Sequence, residues 1–521
     1  MKRLVILLSL LLAFGLANAQ TLVYGLSGFP SSLDSVDSQD GNSLAVSNQI
    51  TETLIFFEPG TTNLVPRLAT EWEANEDGSV WTVSLREGVM FQDGTPFNAE
   101  AVKFNFDRWN DPEHPHSYRD EGKNYVPWGW VWGGPIGDGS VLEAVNVVDE
   151  FTVEFVLTKP LGLFPNMIAA IYFQMDSPTA VQEAGADYGT PGVGSVGTGP
   201  FAFAEWREGE QVRLTRYEDY WDGAANVEEV VVRGIEEPTA RLAALQAGEL
   251  DVAALLSSDD LTTVENDPNL EVAVPESELN VGYIGMHQSN EPFGNPQVRE
   301  AIAHAIDYAA IVDAFYEGLG TPAVDFIPPS LFGHADFSQY EYDPERSREL
   351  LAEAGFPDGF DTEFWYMPVS RPYYPAPQPI AETIASYLAD VGINATLQTE
   401  DWTTYLDNYS QGKYPMYMLG WNGDYADPDN FLYTFFGPSA TNDFGWDDPE
   451  TVQLLEDARE ASEQEERANL YAEILTRVHE QVPAIPVAHN VTLNAVRSNV
   501  SGWNASPLGY SSVSLKDVTK E

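Results

Sequence analysis

No cysteine occurs in the 521 residues. Disulfides are therefore excluded, and so is the lipid-modified cysteine that tethers an exported lipoprotein. Basic charge is scarce: 25 Lys and Arg stand against 81 Asp and Glu, a formal net charge of −56. Such a chain repels nucleic acid and anionic lipid surfaces. Beyond the amino-terminal run no stretch approaches the ~18 uninterrupted apolar residues of a membrane span. Nucleotide and hydrolase signatures are missing too, with no G-x-x-x-x-G-K-[ST], no G-x-S-x-G and no H-E-x-x-H. Gly192-Val-Gly194-Ser-Val-Gly197 fits G-x-G-x-x-G only formally. Pro191 precedes it, and Gly199-Pro200-Phe201 leads into a strand where a helix should open. The seven His are scattered, and the close pair His114 and His116 has no second ligand cluster, so no metal is expected. Carboxylates are too abundant for a paired-acid argument. No nucleophile–base constellation stands out, so neither an enzyme nor a cofactor is expected.

The chain opens on Met-Lys-Arg, an apolar run over 4–16 and then Ala17-Asn18-Ala19. This is the pattern of a signal peptide, with cleavage expected after Ala19 and export to the periplasm. The remaining length exceeds what one hydrophobic core supports, so two lobes are expected. With 43% apolar residues the chain can fill them. The acidic balance reads as a strongly solvated surface. A sharper reading is adaptation to high salt, where screening relieves self-repulsion.

Alternation predicts strands over 21–24, 80–85, 151–157, 211–215 and 229–232. Asn98 is placed to cap a helix reaching Trp109. In the second half Asn295 caps and Pro296 opens a helix, and Asp343-Pro344 starts another that stops at Gly355. Helical periods then alternate with strand-like runs at 362–366 and 395–397. That alternation predicts an α/β lobe with parallel pairing over about 295–420. A polar helix pair is expected over about 449–480, and 484–496 is again strand-like. No Pro/Ser linker marks a boundary. Crossings between lobes are expected near Asn280 and near His489-Asn490, where two strands would form a hinge.

Two segments carry the functional signal. Gly420-Trp-Asn-Gly-Asp-Tyr-Ala-Asp-Pro-Asp-Asn-Phe431 puts acids on a Gly/Pro-rich loop after the apolar run Met416-Tyr-Met-Leu419. Asp427-Pro428 reads as a turn and Asp429 as a cap, which leaves Asp424 as the carboxylate for a ligand. Arg371, in Met-Pro-Val-Ser-Arg-Pro-Tyr-Tyr-Pro, is its counterpart, since Arg371 and Lys413 are the only cations between Glu349 and Ala458. An Arg and a loop carboxylate can grip the two ends of a small zwitterion such as a short peptide. The bland alternative is a surface Arg pairing with one of many acids. Trp128, Trp130 and Trp132 would share one face if extended, as a buried cluster or as the aromatic wall of a pocket. The second of these suits an oligosaccharide or other solute.

These stretches resemble the extracytoplasmic solute-binding proteins of peptide ABC transporters, family 5, and within that family the dipeptide binders. Also similar are Leu64-Val-Pro-Arg-Leu-Ala with Trp72, and Leu85-Arg-Glu-Gly-Val. Gly197-Thr-Gly-Pro-Phe with Tyr217 and Tyr220-Trp221, Leu279-Asn-Val-Gly-Tyr, Val298-Arg-Glu-Ala-Ile, Ile327-Pro-Pro-Ser and Tyr342-Asp-Pro-Glu continue it. The resemblance implies a large two-lobed α/β periplasmic-binding-protein fold (type II, cluster C-like) with a hinge and an extra N-terminal subdomain. It implies lobe I over 20–279 with a subdomain at roughly 55–180, lobe II over 280–488, and a return to lobe I over 489–521. It implies Arg371 for the ligand carboxylate and Asp424 for the ammonium, with Gly420, Trp421 and Gly41 along the peptide backbone and Tyr373 beside the Arg. Capture between the lobes, hinge closure, delivery to a membrane permease and a monomeric state are implied with them. Family relatives also carry longer peptides, glutathione, metal complexes, haem or sugars. The Trp-rich stretch and the acidic loop 35–43 depart from the pattern.

Overall fold

The strand Thr21–Leu26 lies between two parallel neighbours, Glu229–Gly234 and Val252–Ala253. Its residues Leu22, Tyr24 and Leu26 are buried. The computed structural model describes residues 21–334, 340–438 and 440–521. The predicted leader over 1–19 lies outside them. The described chain divides into two compact units, one running to Pro275 and resuming at Leu493–Glu521, the other Glu276–Thr492.

The first unit is built on a seven-stranded sheet. From one edge its order is Leu270–Val272, Ala495–Arg497, Val252–Ala253, Thr21–Leu26, Glu229–Gly234, Gln211–Arg216 and Phe201–Arg207. Leu22, Leu214, Val230, Val252, Val496 and Leu515 belong to one core beneath it. A second, antiparallel sheet joins Ala69–Ala74, Val80–Leu85, Thr152–Leu157 and Leu142–Asp149. Here the alternation of Val80–Leu85 buries Trp81, Val83 and Leu85 on one face. The helix Ala99–Asn110 forms as expected, with the Asn98 side chain accepting from Ala101 N at 3.1 Å.

The tryptophan stretch is helical, not extended. Val126–Trp132 opens with Pro127 in its first turn and stops at Gly133, whose φ is +86°. On a helix, spacing by four places Trp128 and Trp132 on one face, stacked at 5.0 Å and buried, while Trp130 points away and is 46% exposed. Phe106, Trp109 and Phe173 surround the buried pair edge-on or tilted. The three rings therefore do not share one face as the extended reading required.

The second unit holds a six-stranded sheet ordered Gly320–Pro322, Ala484–Asn490, Asn280–Met286, Met416–Asn422, Phe360–Trp365, Ile393–Gln398. Parallel pairing is confined to Phe360–Trp365 with its two neighbours. The helix Pro377–Asp390 supplies the crossover to Ile393–Gln398 that a parallel pair needs. Within the span 295–420 the strands thus pair parallel, as expected, while the pairs made by the entering and leaving strands, Asn280–Met286 and Ala484–Asn490, are antiparallel. The reason lies in the path of the chain. It enters the unit along Asn280–Met286 and leaves along Ala484–Asn490, so adjacent strands run in opposite directions. The strand-like tail over 484–496 holds two strands, Ala484–Asn490 in this sheet and Ala495–Arg497 in the sheet of the first unit. Among the described residues, no helix is long and apolar enough to cross a membrane.

Candidate functional site

Gly282 and Gly420 face each other across the antiparallel pair at the centre of the second unit's sheet. Two glycines in register leave a gap that a hairpin fills. A Cβ on Gly420 would sit 2.3 Å from Tyr373 Cδ2, and one on Gly282 would sit 2.7 Å from Tyr373 O. Residues 371–374 form this hairpin, closed by Arg371 N to Tyr374 O at 3.1 Å and Tyr374 N to Arg371 O at 2.9 Å. Tyr373 is buried, and burial pushes its phenol up to about 12, with Arg371 pulling the other way. It is a neutral hydroxyl at any physiological pH.

Arg371 itself is exposed. Its guanidinium lies 5.0 Å over the ring of Trp402. Among the described residues it enters no ion pair within 4.0 Å. Trp402 begins the helix Trp402–Tyr409 and stacks on Tyr405. The Tyr405 hydroxyl donates to Met418 O at 2.7 Å, which pins that stack to the strand carrying Gly420. A cation resting on an aromatic face keeps its planar fork of donors for a carboxylate.

The loop after Met416–Asn422 is organised by Asn430. Its Oδ1 accepts from Asp424 N at 2.7 Å and from Trp421 Nε1 at 3.1 Å, and its Nδ2 stands 3.5 Å from Asp424 Oδ2. Gly423 N donates to Leu279 O at 2.7 Å, fixing the loop at its root. The three acids of the loop have separate fates. Asp427 is fully buried in a two-pronged pair with Arg467, at 2.7 and 2.6 Å. It also accepts from Asp429 N at 2.9 Å, so the turn capping the helix Asp429–Phe436 is Asp427's work. Asp429, the first residue of that helix, is buried against Arg459 at 3.3 Å and the Tyr425 hydroxyl at 2.9 Å. Burial raises its carboxyl above the ordinary value. Asp424 is half-buried.

Arg371, Tyr373, Gly420, Trp421 and Asp424 thus all belong to the second unit. Tyr373 meets Gly420 directly, and Trp421 and Asp424 share Asn430. Gly41 belongs to the first unit. It opens the helix Gly41–Ile50, capped by Asp40, and a Cβ there would sit 2.5 Å from the Tyr510 hydroxyl. Sequence reasoning missed Asn430, Trp402 and the Arg partners of Asp427 and Asp429. Asn430 stands inside the quoted segment, and a side-chain amide one residue into a helix is a signal for loop bonding. Arg459 and Arg467 lie too far along the chain for any local signal.

Other family blocks converge elsewhere, on the buried Glu52 of the first unit. Arg67 pairs with its carboxylate. Thr198 and Tyr220 donate to it at 2.7 Å each and Trp221 at 2.9 Å. Gly197 and Gly199 pass so close to Ile50 that a Cβ would approach its carbonyl oxygen to 2.5 and 2.8 Å. Leu64-Val-Pro-Arg, Gly-Thr-Gly and Tyr-Trp are therefore a structural joint. Gly192 to Gly197 is a turn-rich connection within it, where Gly194 takes a φ of +71°. Among the described residues, no group of three or more His, Cys, Asp and Glu is arranged to hold a metal ion.

Comparison with known proteins places these features in context. Residues 63–443 match the family model described as bacterial extracellular solute-binding proteins, family 5 Middle. Heme-binding protein A of Haemophilus influenzae is 35% identical, with 89% of this chain and 86% of that protein covered. The dipeptide-binding protein of Escherichia coli is 32% identical, with 94% and 93% covered. The solved structure of HbpA2 from Haemophilus parasuis superposes with a TM-score of 0.87 at 32% identity, covering 96% of this chain and 100% of that one. The fold is that of the two-lobed α/β periplasmic binding proteins. This protein belongs to the bacterial extracellular solute-binding proteins of family 5.

Proposed function

We propose that this protein is the exported substrate-binding component of an ABC importer, taking up dipeptides and other short peptides. It captures and does not catalyse. Arg371 receives the ligand carboxylate, and Asp424 receives the ammonium. Gly420, Trp421, Tyr373 and Gly41 lie along the peptide. The ligand is handed to a membrane permease from the periplasm, and the binding protein acts as a monomer. The observation that carries this reading is the division of labour around the Gly420 loop. Asp427 and Asp429 are committed to Arg467 and Arg459, while Arg371 is exposed and enters no ion pair among the described residues. The similarity to a dipeptide-binding protein supports it. Two fixed charges act as a ruler, because a dipeptide spans ~7 Å at roughly 3.3–3.6 Å per residue. A planar guanidinium suits a carboxylate through two parallel hydrogen bonds.

The test is calorimetric titration with Ala-Ala and release of co-purified ligand by denaturation followed by mass spectrometry. Arg371→Ala is expected to cost about 2–5 kcal/mol of Ala-Ala affinity, roughly thirtyfold to several thousandfold. Asp424→Asn is expected to weaken Ala-Ala more than its N-acetylated form. Unchanged Ala-Ala affinity in Arg371→Ala would overturn the assignment. The identity to a heme-binding protein makes haem the second ligand to titrate. Stoichiometric haem binding that Arg371→Ala leaves intact would replace the peptide reading. The alternative of an oligosaccharide or other solute held by an aromatic wall at Trp128–Trp132 loses its support, because Trp128 and Trp132 are core residues.

A further inference from the structure

The hairpin that carries Arg371 has two corner residues, Pro372 and Tyr373. Their carbonyls take no part in the closing pair of backbone bonds, and each takes one side-chain donor. Asn490 Nδ2 donates to Pro372 O at 2.7 Å, and the Tyr316 hydroxyl donates to Tyr373 O at 2.9 Å. Both donors are buried. They come from different elements, Asn490 from the end of the strand Ala484–Asn490 and Tyr316 from just past the helix Tyr308–Phe315.

Each donor is itself fixed. Asn490 N donates to Asn280 Oδ1 at 3.0 Å, and Asn280 Nδ2 returns a bond to Asn490 O at 2.7 Å. Next to it, His489 Nδ1 donates to Asn280 O at 2.6 Å, and burial holds that imidazole below its ordinary value. The Tyr316 ring is pressed on Gly320, where a Cβ would sit 2.6 Å from its Cδ1. The two clamps therefore seize the backbone immediately after Arg371, while its side chain stays exposed on Trp402.

We propose that Asn490 and Tyr316 are positioning residues for Arg371, setting the root of its guanidinium where it meets the ligand carboxylate. This rests on the dipeptide reading of Arg371 given above. Neither residue touches the ligand. They act by reducing the backbone freedom that binding would otherwise have to freeze, which is the part of the association cost that preorganisation removes. Asn490 lies two residues before the second unit ends at Thr492, so the same amide joins the exit strand to the clamp.

A purely structural role would lower stability without caring which end of the ligand is altered. The discriminating measurement is affinity for Ala-Ala against its C-terminal amide. Tyr316→Phe removes one hydroxyl from a buried ring and is the mild variant. Asn490→Ala removes the other donor, and Asn490→Asp keeps its shape should the alanine fail to fold. Each is expected to weaken Ala-Ala about tenfold while leaving the amide within twofold. In an Arg371→Ala background Tyr316→Phe is expected to change neither affinity, the signature of coupling in a double-mutant cycle. Equal weakening of both ligands, or an effect that persists without Arg371, overturns the proposal alone. If Arg371→Ala fails to discriminate acid from amide, the carboxylate reading falls and the proposal with it.

Discussion

A side chain cannot be added at Gly420 without meeting both a ring and a carbonyl. The Cβ of Gly420→Ala would lie 2.3 Å from Tyr373 Cδ2 and 2.5 Å from Val281 O. Overpacking of this kind costs about 1–3 kcal/mol. The strain falls on the hairpin carrying Arg371, so Gly420→Ala is expected to lower both denaturant stability and Ala-Ala affinity. Lowered stability with intact affinity would show that Tyr373 can move without disturbing the Arg. At this scale the sequence was informative about isolation and silent about partnership. Arg371 could be singled out because only Lys413 shares its stretch of more than a hundred residues. Setting Asp427 and Asp429 aside was also legible, through the proline and the helix start. The particular arginines that bury them were not, because a pair made across 30 or 40 residues of sequence has no local pattern. The same holds for Asn490 and Tyr316, whose roles depend on carbonyls 118 and 57 residues away.

Elements were legible wherever a cap or a period was sharp, as at Asn98, Asn295 and Asp343, whose side chains all accept from the first turn. The tryptophan stretch shows how a period misleads. Residues two apart in a strand and four apart in a helix give the same Trp-x-Trp-x-Trp pattern. The flanking residues could have decided it, since Pro127 suits a helix start and Gly133-Gly134 a helix stop. Helical geometry makes the three rings unequal. Trp128→Ala is expected to cost about 3–5 kcal/mol, as for a large aromatic lost from a core. Trp130→Ala, at an exposed position, is expected to stay within about 0.5 kcal/mol. Equal losses in urea unfolding would mean that the helix is not the element present in solution. Parallel pairing was legible where helix and strand signals alternate, as between Phe360–Trp365 and Ile393–Gln398, but not beyond it. Alternating helix and strand signals give no direction for strands that enter and leave a unit side by side.

At the level of the whole molecule, part of the pH dependence should come from Glu278, two residues before Asn280 and buried. Burial pushes its carboxyl up to about 7, against hydrogen bonds from Thr492 N and the Thr492 hydroxyl. An acid whose folded value lies above its unfolded value of about 4.3 holds its proton longer in the native state. Its contribution is therefore fully present below about pH 4 and is lost as pH rises to about 7, by about 4 kcal/mol. Glu278→Gln keeps the single oxygen that accepts both Thr492 donors. The variant is expected to be more stable than the parent at pH 8 and to lack that part of the decline. Parallel stability curves for the two proteins between pH 4 and pH 8 would show that Glu278 makes no such contribution.

The sheet of the first unit has a further consequence, for the order in which the molecule can be assembled. Ala495–Arg497 is inserted between Leu270–Val272 and Val252–Ala253, inside the sheet and not at its edge. Farther along, Gln49 Nε2 donates to Val513 O at 2.9 Å and Gln49 Oε1 accepts from Leu515 N at 2.9 Å. These partners are synthesised only after the whole of the second unit, Glu276–Thr492. The contiguous second unit can close early, while the first must keep a vacant strand position and an unsatisfied glutamine until the last segment is made. Such a delay is built into the topology and keeps the amino-terminal half from locking before the carboxy-terminal segment arrives.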